Sequence, residues 1–350
     1  MANHLARAFP TLGARLGTLP LGDLPTPVEA REIVLDGDSR TLLVKRDDLT
    51  GAEYGGNKVR KLEYVFRRAR DRGATRIATF GAVGSNHAVA TAFYAKRAGF
   101  DCTCFLAHQS LKPGLGKALR FHQQNSTEIV RWARDRHDRV QQMRDYLQGR
   151  HCWVVPLGGT SWLGTLGFVN AGLELAAQIE AGEIPKPARV YVALGTMGTA
   201  AGLALGFALA GLDTETQAIR VTDPQFANEP ALVKLMQKTA TLMHAVDAAV
   251  PANLAARSRI VCRHEFFGEG YGRTNPATEA AIALAQEQLG LVLESTYSGK
   301  VMAAVLHDLG DGCEQPVLFW NTYNSRPLAI DPRQPLDPEK TPAEFARYFE

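Results

Sequence analysis

The sequence predicts an α/β protein with two open, twisted, parallel-sheet domains. Three observations predict it. Short apolar segments rich in β-branched and aromatic residues, such as Val190–Leu194 and Val317–Trp320, read as strands buried on both faces. Amphipathic stretches lie between them: in Val59–Arg72, the residues Val59, Leu62, Val65, Phe66 and Ala69 recur at helical spacing. This alternation runs through most of 350 residues, a high element count for one sheet and enough chain for two cores.

In chain order, a strand over Leu42–Lys45 precedes the helix Val59–Arg72, and a strand over Arg76–Phe80 precedes a helix over His87–Gly99. A strand at Cys102–Ala107 leads to a helix at Gly114–Gln124, and a strand at Glu128–Arg131 to a helix at Val140–Gln148. The strand Trp153–Val155 is followed by the helix Leu166–Glu180. Then come Val190–Leu194 with the helix Thr199–Gly211, and the strands Ala218–Val221 and Ile260–Arg263. The helices Pro276–Leu289 and Gly299–Leu309 precede a last strand, Val317–Trp320. From Ser325 the chain is polar and Pro-rich, and is expected to wrap the surface.

Composition narrows the function. The hydrophobic fraction is 45%, the charged fraction 21% and the net charge +3, as in an ordinary globular protein. The densest basic run, Arg67-Arg68-Ala69-Arg70-Asp71-Arg72, lies on a helix and reads as a solvated face; no nucleic-acid motif accompanies it. Five scattered cysteines (Cys102, Cys104, Cys152, Cys262, Cys313) form no metal-ligand pattern, so no metal is expected. Free thiols fit a reducing compartment, and neither a signal-peptide core nor a membrane-length apolar run is visible. The expectation is a cytoplasmic protein without nucleic-acid or membrane partners.

Ligands of open α/β sheets sit beyond the carboxyl ends of strands, so the loops there carry the chemistry. In Gly55-Gly56-Asn57-Lys58-Val59-Arg60-Lys61, flexible glycines precede a helix that Asn57 can cap. Lys58 in the first turn meets the positive end of the helix dipole, which favours a neutral, nucleophilic amine. Lys61, on the same face, suits an anion beside that amine. Taken alone, the same residues also read as surface charges. Gly84-Ser85-Asn86-His87 opens the next helix and offers backbone and side-chain donors to a carboxylate or phosphate, or else simply caps it. Leu194-Gly195-Thr196-Met197-Gly198-Thr199 suits a phosphate, although it matches neither the P-loop nor the dinucleotide fingerprint. Tyr271 in Glu-Gly-Tyr-Gly and Tyr297 in Glu-Ser-Thr-Tyr-Ser-Gly-Lys are loop tyrosines, available for stacking or proton transfer or packed on a core edge.

Together these loops resemble one family. GGNKVRKLEY (Gly55–Tyr64), GSNHA (Gly84–Ala88), GGTSWLGTLGFVNAG (Gly158–Gly172), GTMGTAAGL (Gly195–Leu203) and STYSGK (Ser295–Lys300) resemble, in order, segments of the fold-type-II pyridoxal-phosphate enzymes. The similarity is to the branch of aminocyclopropane-carboxylate deaminase and D-cysteine desulfhydrase, and it runs from about residue 25 to residue 322. The resemblance implies a tryptophan synthase β-like architecture with the cofactor, pyridoxal 5'-phosphate, in a cleft. It implies a large domain over 1–60 and 166–350, a small one over 61–165, and a homodimer.

The resemblance also implies roles. Lys58 forms the Schiff base and moves protons at Cα. Lys61, Asn86, Gly195, Thr196, Met197, Gly198 and Thr199 hold the cofactor. Ser85, Asn86 and His87 receive the substrate carboxylate, and Ser85 is a candidate for proton transfer. Tyr297 stacks on the pyridine ring, Tyr271 lines the same pocket, and Ser298 lies near the pyridine nitrogen. Where the deaminase branch has Glu and the desulfhydrase branch Thr, this chain has Ser298. A hydroxyl makes a weaker electron sink, which suits β-elimination better than opening a cyclopropane. Ala88-Val89-Ala90 departs from the family pattern, and so do Met197 and Trp162, which puts Trp162 at the substrate pocket.

The expected activity is a lyase acting on a small amino acid, with β-elimination and deamination to a keto acid and ammonia. An aminocyclopropane-carboxylate deaminase and a sulfonate-eliminating lyase are the alternatives within the family. A non-catalytic pyridoxal-phosphate-binding protein and a nicotinamide oxidoreductase built on the Gly195 loop are the alternatives outside it.

Overall fold

A computed structural model describes residues 3–111, 114–335 and 337–349. Among these, β1 (Val28–Leu35) and β2 (Asp38–Lys45) open one sheet. β3 (Arg76–Ala82), β4 (Asp101–Ala107), β5 (Glu128–Arg131) and β6 (Cys152–Val155) make a second. β7 (Arg189–Leu194), β8 (Glu215–Arg220), β9 (Ile260–Arg263) and β10 (Val317–Trp320) complete the first. The helices of ten residues or more are α1 (Lys58–Asp71), α2 (Asn86–Arg97), α3 (Leu115–Gln124), α4 (Arg136–Leu147), α5 (Trp162–Glu180), α6 (Gly198–Leu209), α7 (Glu229–Val246), α8 (Pro276–Leu289) and α9 (Ser298–Gly310).

The chain divides into two compact units. One runs to Tyr64 and resumes over Thr160–Arg326; the other is Val65–Gly159 with the chain from Pro327 onward. The sequence reading sets the boundaries at 60/61 and 165/166 and assigns the tail to the larger unit. That last assignment is corrected: the tail packs with the smaller unit. Gln123 of α3 exchanges two hydrogen bonds with the Asp337 backbone, and Phe345 is fully buried. An apolar aromatic spaced into a polar segment provides the anchor that composition alone hides.

The larger unit holds a six-stranded sheet in the order β1-β2-β10-β7-β8-β9. All its neighbours are parallel except β1, which pairs antiparallel with β2. So the sheet is mixed, where the sequence predicts parallel pairing throughout. Asp36 and Gly37, both at positive φ (52° and 91°), make the two-residue turn that forces the hairpin. Only Ile33 of β1 is buried, and apart from Ile33-Val34-Leu35 at its end this edge strand is polar or interrupted by charge. Leu42, Val44, Tyr191, Ile219 and Phe319 of the sheet pack with Ala281 and Leu289 of α8 and with Val301, Met302 and Val305 of α9. α5 and α6 touch through glycine: a Cβ on Gly172 would lie 2.9 Å from Gly206 Cα. The 18-residue α7 is absent from the sequence reading, although Asn228 caps it and Leu232, Met236, Ala240 and Met243 form its buried face.

The smaller unit has an all-parallel sheet, β5-β4-β3-β6. Phe80 stacks on Phe105 and lies 4.6 Å from Trp132, centroid to centroid. Cys102 and Cys104 are both buried. Among the described residues no helix is long and apolar enough to cross a membrane.

A buried ionic network fixes the first turn of α1. Arg60 donates to both carboxylate oxygens of Asp47, at 2.7 and 2.9 Å, and to both of Glu174, at 2.9 Å each. Lys45 Nζ donates to Glu174 at 2.7 Å, and Trp320 Nε1 donates to Asp47 at 2.7 Å. Lys45 and Trp320 end β2 and β10, so the network ties α1 to the carboxyl ends of the central strands. Gly167 of α5 completes the fit, since a Cβ there would come within 2.1 Å of Arg60 O. Removing one partner from such a network leaves a buried charge unmatched, which costs about 3–5 kcal/mol. Glu174→Ala is therefore expected to lower the urea midpoint by that order of stability; a loss below about 1 kcal/mol would count against the network as the anchor of α1.

Candidate active site

The Gly55-Gly56 turn delivers Lys58. A Cβ on Gly55 would lie 2.0 Å from Asp48 O, and Gly56 sits at φ +95° facing Thr322 O. Glycine is needed at both, once for close approach and once for the left-handed backbone. Lys58 opens α1 half-buried and donates from Nζ to Asn57 Oδ1 at 2.7 Å; Asn57 Nδ2 donates to Thr199 Oγ1 at 3.1 Å. Withdrawal from water pulls the Lys58 ammonium down to about 8, against the opposing charge of Glu294. Lys61 is buried, and loss of solvation together with the Lys58 charge lowers it well below an ordinary lysine. Lys58 and Lys61 are thus not the exposed helix charges that the loop alone allows.

The turn after β7 closes around Lys61. Lys61 Nζ donates to Thr160 Oγ1 at 3.3 Å, and that hydroxyl is 2.8 Å from Thr196 Oγ1. Gly198 lies against the pair: a Cβ there would be 2.9 Å from Thr160 Oγ1 and 3.2 Å from Lys61 Nζ. Met197 takes the left-handed conformation, φ 69°, just before α6, and no side chain caps that helix. A helix start of small residues beside a lysine amine and the hydroxyls of Thr160, Thr196 and Thr199 has the chemistry of a phosphate cradle.

Tyr297 meets this turn, because a Cβ on Gly195 would lie 3.3 Å from its ring. Its hydroxyl is 2.6 Å from that of Tyr271, and the two rings are edge-to-face. Burial, the Tyr271 neighbour and the Glu294 charge raise the Tyr297 phenol, which therefore stays protonated. Ser298 is buried at the start of α9. It accepts a hydrogen bond from Glu294 N at 3.0 Å and directs its own hydroxyl toward Glu294 Oε1 at 3.4 Å.

The structure therefore brings together Lys58, Lys61, Gly195, Thr196, Met197, Gly198, Thr199, Tyr271, Tyr297 and Ser298 within the larger unit. Trp162, half-buried, opens α5 in the same unit. Ser85, Asn86 and His87 belong to the smaller unit. Ser85 caps α2, accepting from Ala88 N at 3.2 Å, and Asn86 is exposed. His87 is turned inward: its ring nitrogens lie 2.9 Å from Thr79 Oγ1 and 3.4 Å from Thr91 Oγ1. That geometry suits a histidine bracing the loop from below.

Three groups escaped the sequence reading. Thr160 bridges Lys61 and Thr196, 99 and 36 residues from it in sequence, a link only the fold creates. Glu294 accepts from the backbone N–H groups of Thr296, Tyr297 and Ser298, holding the tyrosine turn. Its charge also acts on Tyr323, beyond β10. Gln109, beyond β4, is the third, and its Oε1 accepts from Gly84 N at 3.0 Å.

The donor set fits pyridoxal phosphate on these observations: an amine held near neutrality, a second lysine amine with hydroxyls, and a glycine turn with no room for a Cβ. Cofactor-free protein should gain its visible absorbance band faster as pH rises, because only the deprotonated Lys58 amine reacts. The midpoint should lie at about 8 and not at the ordinary 10.5; a rate still climbing at the ordinary lysine value would refute the depressed amine. Gly198→Ala should weaken pyridoxal-phosphate binding about tenfold in an absorbance titration, through overpacking against Thr160 and Lys61.

Comparison with known proteins shows the family of the chain. The model of the family described as pyridoxal-phosphate dependent enzyme matches residues 19–322. A D-cysteine desulfhydrase of Yersinia enterocolitica (serotype O:8 / biotype 1B) is 34% identical over 337 residues, covering 89% of this chain and 96% of its own. One from Salmonella paratyphi A is 33% identical, covering 88% and 94%. A crystal structure described as an ACC deaminase homologue superposes with a TM-score of 0.74 at 27% identity, over 93% of this chain and 96% of its own. The chain belongs to the pyridoxal-phosphate-dependent enzymes.

Proposed function

We propose that this enzyme eliminates a sulfur substituent from the β-carbon of a small amino acid, with D-cysteine as the first candidate, and releases pyruvate, ammonia and sulfide. The observation that carries the reading is a hydroxyl, Ser298, where the resemblance puts a carboxylate in the deaminase branch. The similarity to two D-cysteine desulfhydrases over nearly the whole chain supports it.

Pyridoxal phosphate, when bound, supplies the electron sink that acidifies the Cα–H of an amino acid. Lys61, Thr196, Thr199 and the Gly195–Gly198 backbone hold its phosphate. Lys58 is the attachment point and takes the proton from Cα, for which an amine near pH 8 is well matched. Departure of sulfur from Cβ requires a proton. The Tyr297–Tyr271 pair supplies it, since Tyr297 keeps its proton and its hydroxyl is shared at 2.6 Å. The released aminoacrylate hydrolyses to pyruvate and ammonia. Ser85 and Asn86 bind the substrate carboxylate at the start of α2. His87, bonded to Thr79 and Thr91, supports that loop from within. A cytoplasmic homodimer completes the reading, supported by the resemblance and by five free thiols.

A keto-acid assay across D- and L-amino acids, read beside the visible spectrum, tests this. Pyruvate and sulfide from D-cysteine are expected, and Lys58→Ala should lose the visible band and at least about 10⁴ of the rate. Formation of 2-oxobutanoate from aminocyclopropane-carboxylate would establish the deaminase instead, and sulfite release the sulfonate lyase. A coloured protein that turns over nothing on the panel would be a non-catalytic binder.

A further inference from the structure

We propose that Tyr348, in the C-terminal tail, is a positioning residue for the Gly84–His87 loop and acts on it through Gln109. All the groups concerned lie in the smaller unit. The inference rests on the reading of Ser85 and Asn86 as the substrate-carboxylate site and extends its machinery to the far end of the chain.

The loop leans on one side chain. Gly84 N–H donates to Gln109 Oε1 at 3.0 Å. The contact is close-packed, because a Cβ on Gly84 would lie 3.3 Å from Gln109 Nε2 and 2.4 Å from Leu115 Cδ2. Gly84 directly precedes the Ser85 cap, so displacement of its N–H moves the cap and Asn86 with it.

Gln109 follows β4 in a stretch with neither strand nor helix, where no ladder fixes its backbone. The phenol of Tyr348 takes that place. It accepts from Gln109 N at 3.0 Å and donates to Gln109 O at 2.9 Å, closing on both backbone groups of one residue. Tyr348 is itself held. It is buried, Arg347 donates to its hydroxyl at 2.9 Å, and a Cβ on Gly116 would lie 2.7 Å from its carbonyl oxygen. His108, next to Gln109, packs its ring 5.1 Å from the fully buried Phe345. Upstream, Gln124 of α3 donates to Asp331 O at 2.8 Å, and Arg120 donates to Gln334 O at 2.7 Å. The tail is thus a strap along α3, and its last turn grips the residue that grips the loop.

Steady-state kinetics on holoenzyme decide the point. Tyr348→Phe and Gln109→Ala should each raise KM for the substrate about fivefold, with kcat and the visible cofactor band little changed. The double variant should be no worse than either single one, because both lie on one path. Gln109→Glu, which keeps an acceptor for Gly84 N–H, should recover most of the loss. Hydrogen exchange of the Gly84 amide should quicken in Tyr348→Phe. A purely structural tyrosine would instead lower stability without a KM shift, or give additive effects in the double variant, and either result overturns the inference. Asn86→Ala separates the two levels. If it leaves KM unchanged, the carboxylate reading and this inference fall together. If it raises KM while Tyr348→Phe and Gln109→Ala do not, the inference alone fails.

Discussion

The Arg60 guanidinium, held between Asp47 and Glu174, is the constraint on which the rest of the site depends. Two residues before it stands Lys58 and one after it Lys61, so their directions follow from where Arg60 is fixed. The clamp uses groups at the ends of two central strands and on α5, and all of it is buried. A buried charge network is a poor source of net stability, but it penalises every arrangement that leaves one member unmatched. Rigid placement of an amine is what a lysine needs when it must both hold a cofactor and move a proton.

Around that fixed turn, two opposing electrostatic demands are met by neighbouring residues. Phosphate binding asks for positive charge, and the nucleophilic amine asks for a lost proton. Lys61 with its hydroxyls serves the first, since a bound phosphate would favour the Lys61 proton that burial and the Lys58 charge oppose, while removal from water serves the second at Lys58. Glu294 moderates both. It lies close enough to support the Lys58 ammonium and to keep Tyr297 protonated, yet three backbone N–H groups occupy its oxygens. Its nearness to Ser298 also refines the view of that position: the hydroxyl is not a lone neutral group but one directed at a carboxylate.

Much of this could be read from the residues, and the failures have physical causes. Interior strands such as β4, β7 and β10 announced themselves because burial on both faces demands unbroken apolar runs. β1 does not, since an edge strand with one buried residue keeps only the short run Ile33–Leu35 among charged neighbours. α7 carries local signals, an Asn-Glu-Pro start and apolar residues at helical spacing. Motifs located Lys58, the Gly195 turn and Tyr297 because their chemistry depends on local sequence. The roles of Thr160, Glu174 and Gln109 depend on partners 36, 114 and 25 residues away, which no local pattern encodes. His87 shows the intermediate case: the motif marks the residue, but only helix phase decides that its ring turns toward Thr79 and Thr91.

The place of β10 in the larger sheet bears on how the protein is made. Among the described strands this one comes last in chain order, yet it lies between β2 and β7, so the other strands of its sheet wait for their own middle. The smaller unit likewise lacks Phe345 and Tyr348 until the tail has emerged. The larger sheet cannot close without β10, whereas the smaller sheet has all four of its strands by Val155 and gains from the tail only a covering segment. Pairing over such sequence distances is slow and leaves apolar strand edges open meanwhile. The larger sheet is thus complete only once its last strand is in place, and until then the facing edges of β2 and β7 are open to aggregation and to the chaperones that prevent it.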